Sequence, residues 1–554
     1  MFWGNLAQAD MGLLSDYFFQ NLMNNICAMK NNFNEDYQYN SCTSRGICSI
    51  NPRTSSLQEI VLMYMKQAAY YIIKLENTDY NNPEIKNLIL NSISAMVSNT
   101  SFSETDFKMI TQHFNTLLPE LIKEYENFCK KENIPPKYLK TKLKFDKTTD
   151  ITKSIRMGEQ EFLKKINSVP SQIRYIYNLM FVVVKSICTN IQDLETFGEN
   201  TDEGYKTIID ILNNLNTKNK DIDELKNILS KITSVNQKLI KKLREVQIAK
   251  YGKQKEQGVS HTTTPGKAIL VVGSNIRELE IILDAVKNDD IDIYTHDEMM
   301  LAHTFPYFKQ YKNLKGQFGK GIESCLLDFA TFPGPIIVTR HSLYNIENLY
   351  RGRLFTTDPA NTKGVIPIRG NNFDEVIKSA KEAKGFKTGK TCQTEMIGFD
   401  YEETLSIIKQ KADSKKYNRI FIIGASGYTG EQQNYVKKLV EKTPKDVLII
   451  SLSYKIEKEN VICLNACFDT YAISFIAEFL TNYKLPVTIF FPNCDRHTIS
   501  KMIYFASKNI ARIFVGSCTP ILVNPNLITT LYELYGIDSF STVKNDLNKI
   551  LENC

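Results

Sequence analysis

Four soft or borderline donors fall close together late in the chain: Cys463, Cys467, Cys494 and His497. Thiolates and an imidazole suit a tetrahedral zinc ion, although CxxxC followed by CxxH departs from the usual zinc spacings. Near the start, Cys42 and Cys48 frame the segment CTSRGIC. Two thiols at that separation either share a metal or pack as small hydrophobes. A third pattern is GASGYTG, where Gly424, Gly427 and Gly430 follow a β-like run and precede a helical one. Glycines at such a turn let a phosphate approach the helix N-terminus. A dinucleotide site also wants a carboxylate about 20 residues later to hold the ribose. The next strand ends Ser451-Leu452-Ser453-Tyr454 and carries none, so a nucleotide site and a purely structural turn both stay open.

These residues need elements to position them. Over the first 250 residues apolar side chains recur at helical spacing, as in Leu57, Ile60, Val61, Tyr64, Ala68, Tyr71, Ile72 and Leu75. Ser56 and Glu59, just after Pro52, have the form of a capping box opening that helix. Further helical patterns follow Pro83 and cover about 104–131, 171–192, 203–216 and 222–251. After Tyr251 the polar stretch 252–266 reads as a linker. Beyond it, β-branched runs alternate with helix-length segments: Ala268–Gly273, Ile291–His296, Pro335–Arg340, Arg419–Gly424, Asp446–Ser453, Val487–Phe491 and Ala511–Gly516. Strands separated in this way predict βαβ units and parallel sheets. The expected architecture is an N-terminal helical bundle domain, 1–251, followed by two Rossmann-like α/β domains, 267–385 and 416–554, with 386–415 connecting them.

The 554 residues carry 68 basic and 61 acidic side chains, a net charge of +7 that gives no case for nucleic-acid binding. Twelve cysteines are too dilute for a disulfide scaffold, and the first 29 residues hold no Lys or Arg. No apolar run approaches the roughly 20 residues that span a bilayer. The reading is a cytoplasmic protein with reduced thiols, bound to neither membrane nor nucleic acid. The charge runs 130–137 and 241–253 read as solvated faces, and His113 and His261 as surface residues.

Several blocks taken in order resemble the hybrid cluster proteins, also called prismane proteins or hydroxylamine reductases. CTSRGIC and the helix SSLQEIVLMYMK are similar to the second half of that family's N-terminal cysteine motif and its first helix. GKAILVVGSNIRELEIIL, 266–283, is similar to the opening of its second domain. IYTHDEMMLAH, 293–303, resembles its Tyr-Thr-His-x-Glu-Met-x-x-Ala-His, with FPGPIIVT and RLFTTDP following in the family's order. The resemblance implies the same three-part architecture. It also implies a cubane-type Fe–S cluster near the N-terminus, a hybrid Fe–S–O cluster between the domains, and two-electron reduction of hydroxylamine to ammonia or reduction of nitric oxide.

Carried across residue by residue, the family's ligands are mostly absent. The first two cysteines of the N-terminal centre fall on Trp3 and Leu6, leaving Cys42 and Cys48, with Cys27 unplaced. For the hybrid cluster, the family's His falls on Ser274 and one Glu on Glu298. Three of its cysteines fall on Ser342, Ala425 and Tyr454, and the fourth on Cys467. The second Glu falls on Asp495, and a nearby Lys on His497. A neutral hydroxyl is a poor substitute for thiolate or imidazole, and alanine offers no donor. His341 could stand in for a lost donor. If 338–340 form a strand, however, neighbouring side chains alternate faces, so His341 and Ser342 cannot both face one cavity. His296 and His303 read as residues that orient and pack around the pocket.

The resulting expectation is a divergent family member without the usual clusters, a non-catalytic scaffold or binding protein with an unidentified protein partner. It would hold no cofactor, or at most residual Fe–S or a single Fe or Zn ion at Glu298, Cys467, Asp495 and His497. The alternatives are a working oxidoreductase with a rebuilt metal site, fed by a reductase, and a nucleotide-binding protein using GASGYTG.

Overall fold

The structure, a computed structural model, describes residues 52–97, 102–139, 150–216, 221–319, 324–342, 349–360, 363–424, 430–452, 458–466, 471–492, 496–516 and 525–551. Two compact units emerge among the described residues, one within Asn24–Leu239 and Ala360–Lys363, the other within Ile240–Pro359 and Gly364–Cys554.

The first unit is helical. It contains α1 (Pro52–Lys74), α2 (Pro83–Ala95), α3 (Glu104–Lys131), α4 (Ile151–Ser168), α5 (Ser171–Glu195), α6 (Asp202–Asn214) and the greater part of α7 (Ile222–Tyr251). The apolar stripe read in α1 is its buried face: Leu57, Ile60, Val61, Tyr64 and Ala68 are all buried. The capping box read at Ser56 and Glu59 is not one, because α1 starts a turn earlier at Pro52, whose fixed φ suits a first helical position. A true capping box opens α3, where Ser103 and Asp106 exchange hydrogen bonds. Almost every residue of α5 from Arg174 to Leu194 is buried, which makes it the central helix of the bundle.

The second unit holds two six-stranded parallel sheets. The first contains β2 (Lys267–Val272), β3 (Ile291–His296), β4 (Leu314–Gln317), β5 (Ile336–Val338), β6 (Leu354–Thr356) and β7 (Ile366–Pro367), in the order β4-β3-β2-β5-β6-β7. Its helices are α8 (Ile276–Val286), α9 (Cys325–Thr331) and α10 (Asp374–Glu382), and 3-10 turns span 297–304 and 306–310. The second sheet contains β9 (Arg419–Ile423), β10 (Val447–Ser451), β11 (Val461–Cys463), β12 (Val487–Phe491), β13 (Arg512–Val515) and β14 (Asp538–Ser539), in the order β11-β10-β9-β12-β13-β14. Helices α12 (Gly430–Lys442), α13 (Ala472–Leu480), α14 (Arg496–Ser507), α15 (Pro525–Tyr535) and α16 (Val543–Leu551) accompany it. Each sheet thus has the Rossmann order, with a switch point where the chain reverses direction across the sheet, between β2 and β5 or between β9 and β12. The central strands are buried on both faces, as parallel sheets covered by helices require.

All seven strand runs read from the sequence form strands. Those not read are short: β4, β6, β7, β11 and β14 are two to four residues long and give no run to detect. The supposed linker 252–266 also contains a strand, β1 (Gln257–Ser260), paired antiparallel with β8 (Thr394–Ile397) from the connecting segment, which goes on to form α11 (Tyr401–Asp413). The two sheets therefore share one unit, laced further by Gly398 N–H donating to the Asn465 carbonyl (2.8 Å). The end of α7 belongs to this unit too. Arg244, in the run read as a solvated face, is buried with its guanidinium near the rings of Phe305 (5.8 Å) and Tyr471 (6.0 Å).

Candidate functional site

In open parallel sheets ligands bind beyond the carboxyl ends of the strands, at the switch point. In the first sheet that place is built by the turn after β2, Gly273-Ser274-Asn275, and the turn after β5, Thr339–Ser342. Gly273 has φ +122°, and a Cβ there would lie 2.1 Å from both the Ser342 and Thr339 hydroxyl oxygens. Only glycine fits, because it lacks the clashing atom and tolerates that backbone. Thr339 Oγ1 donates to the Val272 carbonyl (2.9 Å) and stands 3.4 Å from Ser342 Oγ. Ser274 is exposed at the entrance to α8. The crevice between β2 and β5 is therefore lined by hydroxyls.

The alternation argument at His341 does not apply. Strand β5 stops at Val338, and the chain turns, with Ser342 N–H donating to the Thr339 carbonyl (3.3 Å). His341 sits in the left-handed region at φ +67° and is buried, so strand geometry no longer fixes its direction relative to Ser342.

One lip of the crevice is a carboxyl group. Asn275 caps α8 by accepting from Glu278 N–H (3.0 Å), and the Glu278 carboxyl turns toward the β5 side, accepting from Arg340 N–H (3.1 Å) and Thr357 Oγ1 (2.7 Å). Burial pushes its pKa above the usual carboxylate range, against the opposing pull of Arg340 and these hydrogen bonds. Sequence reading missed Glu278, although Asn275 and Glu278 have the three-residue spacing of a capping pair.

The β3 side carries the residues of the His-x-Glu block. Half-buried Glu298 lies in the 3-10 turn 297–304, whose first residue, Asp297, has φ +60°. The Gln317 amide anchors this turn: it donates to Thr295 Oγ1 (2.6 Å) and the Thr295 carbonyl (3.0 Å) and accepts from Asp297 N–H (3.0 Å). His303 Nε2 is 2.9 Å from Thr295 Oγ1, and burial lowers its pKa to about 4, with a smaller contribution from His261. His296 is wholly buried, its Nε2 3.1 Å from Asp328 Oδ2, its ring edge-on to Phe329 (5.4 Å). Ser324 Oγ donates to the same carboxylate oxygen (2.5 Å). Both histidines are thus held against neighbouring side chains of this sheet, His303 at Thr295 and His296 at Asp328. His261 is not a surface residue, since its side chain is 16% exposed and sits 3.2 Å from Glu395; His113, at 53%, is one.

The other candidates are placed only in part. His497 is half-buried in the first turn of α14, and Cys463 is half-buried at the end of β11. Cys467, Cys494, Asp495, Cys42, Cys48 and Gly427 lie outside the described residues, as do Trp3, Leu6, Ala425 and Tyr454. Gly424 ends β9 with its N–H donating to the Phe490 carbonyl (2.8 Å), and Gly430 opens α12. Among the described residues no three His, Cys, Asp or Glu side chains converge on a point that could hold a metal ion. No helix among them is long and apolar enough to cross a membrane.

The donor set in the first-sheet crevice can be tested against the hybrid cluster that the resemblance implies. The resemblance puts two of the cluster's ligands on Ser274 and Ser342, neutral hydroxyls where iron–sulfur chemistry needs an imidazole and a thiolate. Of the donors at those positions only Glu298 is retained among the described residues. The set does not fit the group.

Comparison with known proteins places this architecture. The chain is 25% identical over 538 residues to the hydroxylamine reductase of Thermodesulfovibrio yellowstonii, covering 92% of this chain and 98% of that protein. It is 23% identical over 525 residues to the hydroxylamine reductase of Acidiphilium cryptum, covering 91% and 94%. A solved structure of the acetyl-CoA synthase/carbon monoxide dehydrogenase complex, titled for its NiZn[Fe4S4] and NiNi[Fe4S4] clusters, aligns with a TM-score of 0.46 and 12% identity, over 92% of this chain and 83% of that one. Residues 25–548 match the Prismane/CO dehydrogenase family, and the chain belongs to it.

Proposed function

We propose that this chain is a divergent family member that keeps the scaffold without the usual clusters and works as a non-catalytic binding or scaffold protein. The observation that carries the reading is the hydroxyl-lined crevice. Thr339 and Ser342 stand against Gly273, with exposed Ser274 next in the chain, where the family resemblance expects imidazole and thiolate. Trp3, Leu6, Ala425 and Tyr454 extend the same substitution along the sequence. Its setting would be the cytoplasm, where twelve dilute cysteines stay reduced. Its partner is a protein rather than a membrane or a nucleic acid.

A second reading draws on the retained Glu298 and on the name shared by the full-length relatives. It is a hydroxylamine reductase with a rebuilt metal site using Glu298, Cys467, Asp495 and His497, its electrons supplied by a reductase. Anaerobic purification with iron, zinc and acid-labile sulfide analysis and an absorption spectrum separates the two. A colourless, iron-free protein that does not oxidise reduced viologen in the presence of hydroxylamine supports the scaffold reading. Several irons per chain with such turnover overturns it.

A further inference from the structure

At the amino end of the second sheet a cavity of about 670 Å³ lies beside the segments that enter β12 and β13. Small-molecule sites occupy about 300–1,000 Å³. Leu480 ends α13 there, Tyr535 ends α15, and Lys508 follows the last residue of α14. Three helix C-termini thus bring a partial negative charge of about half a unit each. Against them stand three lining cations, Lys484, Lys508 and Arg512, with no carboxylate among the described lining residues. Arg512 is held in place, donating to Asp538 Oδ2 (3.1 Å) and the Lys549 carbonyl (2.8 Å) with its guanidinium over the Phe514 ring (5.3 Å). Lys549 also reaches Asp538 Oδ1 (3.3 Å), so that carboxylate is already matched by two cations. Lys484 and Lys508 are exposed, and neither has a carboxylate at ion-pair distance among the described residues. The cavity is left with a surplus of positive charge.

Two tyrosines, Tyr483 and Tyr535, also line it, the ring of Tyr483 packed 5.5 Å from that of Phe479. Buried Val487 and Ile513 add apolar lining. Surplus cations beside aromatic rings suit a small anion that carries a flat ring: the amines take the charge and the tyrosines stack the ring. We propose that this cavity is a binding site for nucleoside phosphates. It lies at the opposite end of the sheet from the GASGYTG turn, which follows the carboxyl end of β9, and shares no residue with it.

The test is calorimetric titration of the full chain at low salt, with ADP, adenosine and pyrophosphate as separate probes. ADP should saturate a site with a Kd below about 1 mM, and adenosine and pyrophosphate should each bind at least about fivefold more weakly, because only ADP uses both the rings and the amines. The double variant Lys484→Gln/Lys508→Gln should weaken ADP about tenfold or more, a loss that shrinks as added salt screens the parent's amines. Both lysines are exposed, so this variant should keep the parent's unfolding midpoint. Tyr483→Leu should weaken ADP about fivefold and leave pyrophosphate unchanged, a split that loss of the fold would not give. No saturation by about 1 mM ADP, ADP binding unchanged in the double variant, or adenosine or pyrophosphate bound as tightly as ADP overturns the proposal.

Discussion

Helices α8 and α12 occupy the same place in two sheets of the same strand order, yet they use charge in opposite ways. Each is the first crossover of its sheet, leaving β2 or β9. Helix α8 supplies one half-buried and one buried carboxylate. Glu278 reaches the crevice lip, while Glu280 accepts from Tyr251 OH (2.6 Å), Tyr307 OH (2.8 Å) and Arg277 (2.5 Å) and pairs with Lys250 (3.2 Å). Among its described side chains α12 supplies no buried carboxylate; its Tyr435 donates to Asp546 of α16 (2.6 Å) instead. Topology places a helix on the sheet at that point but leaves open which partner brings the charge. The outer neighbour decides: the aromatic end of α7 for α8, the last helix for α12. One consequence is that α8 is tied to a switch-point crevice, through Glu278 three residues along from Asn275.

The contrast breaks first at Glu280. Burial disfavours its charged form, but its four donors outweigh that and hold its pKa below the ordinary range. Glu280→Ala leaves two phenols and two cations without their acceptor and should cost about 4 kcal/mol in urea unfolding. A loss below about 1 kcal/mol would mean that this carboxylate does not seat α8. Asp546 should matter somewhat less. It is buried and accepts from Tyr435 OH, Ser541 N–H (2.9 Å) and Ser541 Oγ (2.6 Å), without a cation among these partners. Asp546→Ala should cost about 3 kcal/mol, and a double-mutant cycle with Tyr435→Phe should show coupling of about 1 kcal/mol. Additivity in that cycle would remove the tyrosine from the account of α12.

The architecture was legible because its signals are local. Long β-branched runs such as Ala268–Gly273 and Arg419–Gly424 announce central parallel strands, and the stripe in α1 announces a buried helix face. The edge strands were illegible because two to four residues, such as Ile366–Pro367, leave no period. Pairing hid β1, since nothing in Gln257–Ser260 foretells Thr394–Ile397 well over a hundred residues away. At the site, Ser274, Ser342 and Glu298 were found by matching blocks, whereas Glu278 and Asp328 were not. Their roles depend on Arg340, Thr357 and His296, partners that only the folded sheet brings near.

The first sheet should also carry an acid sensitivity of its own. His303 is held neutral, with its pKa at about 4 against about 6.5 in an unfolded chain. Between those values the unfolded state binds the extra proton, so stability falls as pH drops from 6.5 toward 4. After allowance for its partial exposure the loss should be about 2 kcal/mol. In His303→Gln that part of the fall should vanish from unfolding curves taken at pH 4.5, 5.5 and 7. An unchanged pH profile would place the acid sensitivity elsewhere.

The smallest effect probes the crevice lip itself. Glu278 has a raised pKa, so above the usual carboxylate range the folded protein holds a proton that the unfolded chain has released. Stability therefore declines as pH rises from the unfolded value, about 4.3, through the folded one, and above that the ionised carboxylate is a fixed cost. Glu278→Gln keeps an oxygen to accept from Arg340 N–H and Thr357 Oγ1 but cannot ionise. The variant should match the parent at pH 4 and exceed it by less than about 1 kcal/mol at pH 8. The opposite sign, a variant weaker at pH 8, would mean that attraction to the Arg340 guanidinium outweighs burial. The lip would then be held as an ion pair with Arg340, and α8 would hold its crevice by charge.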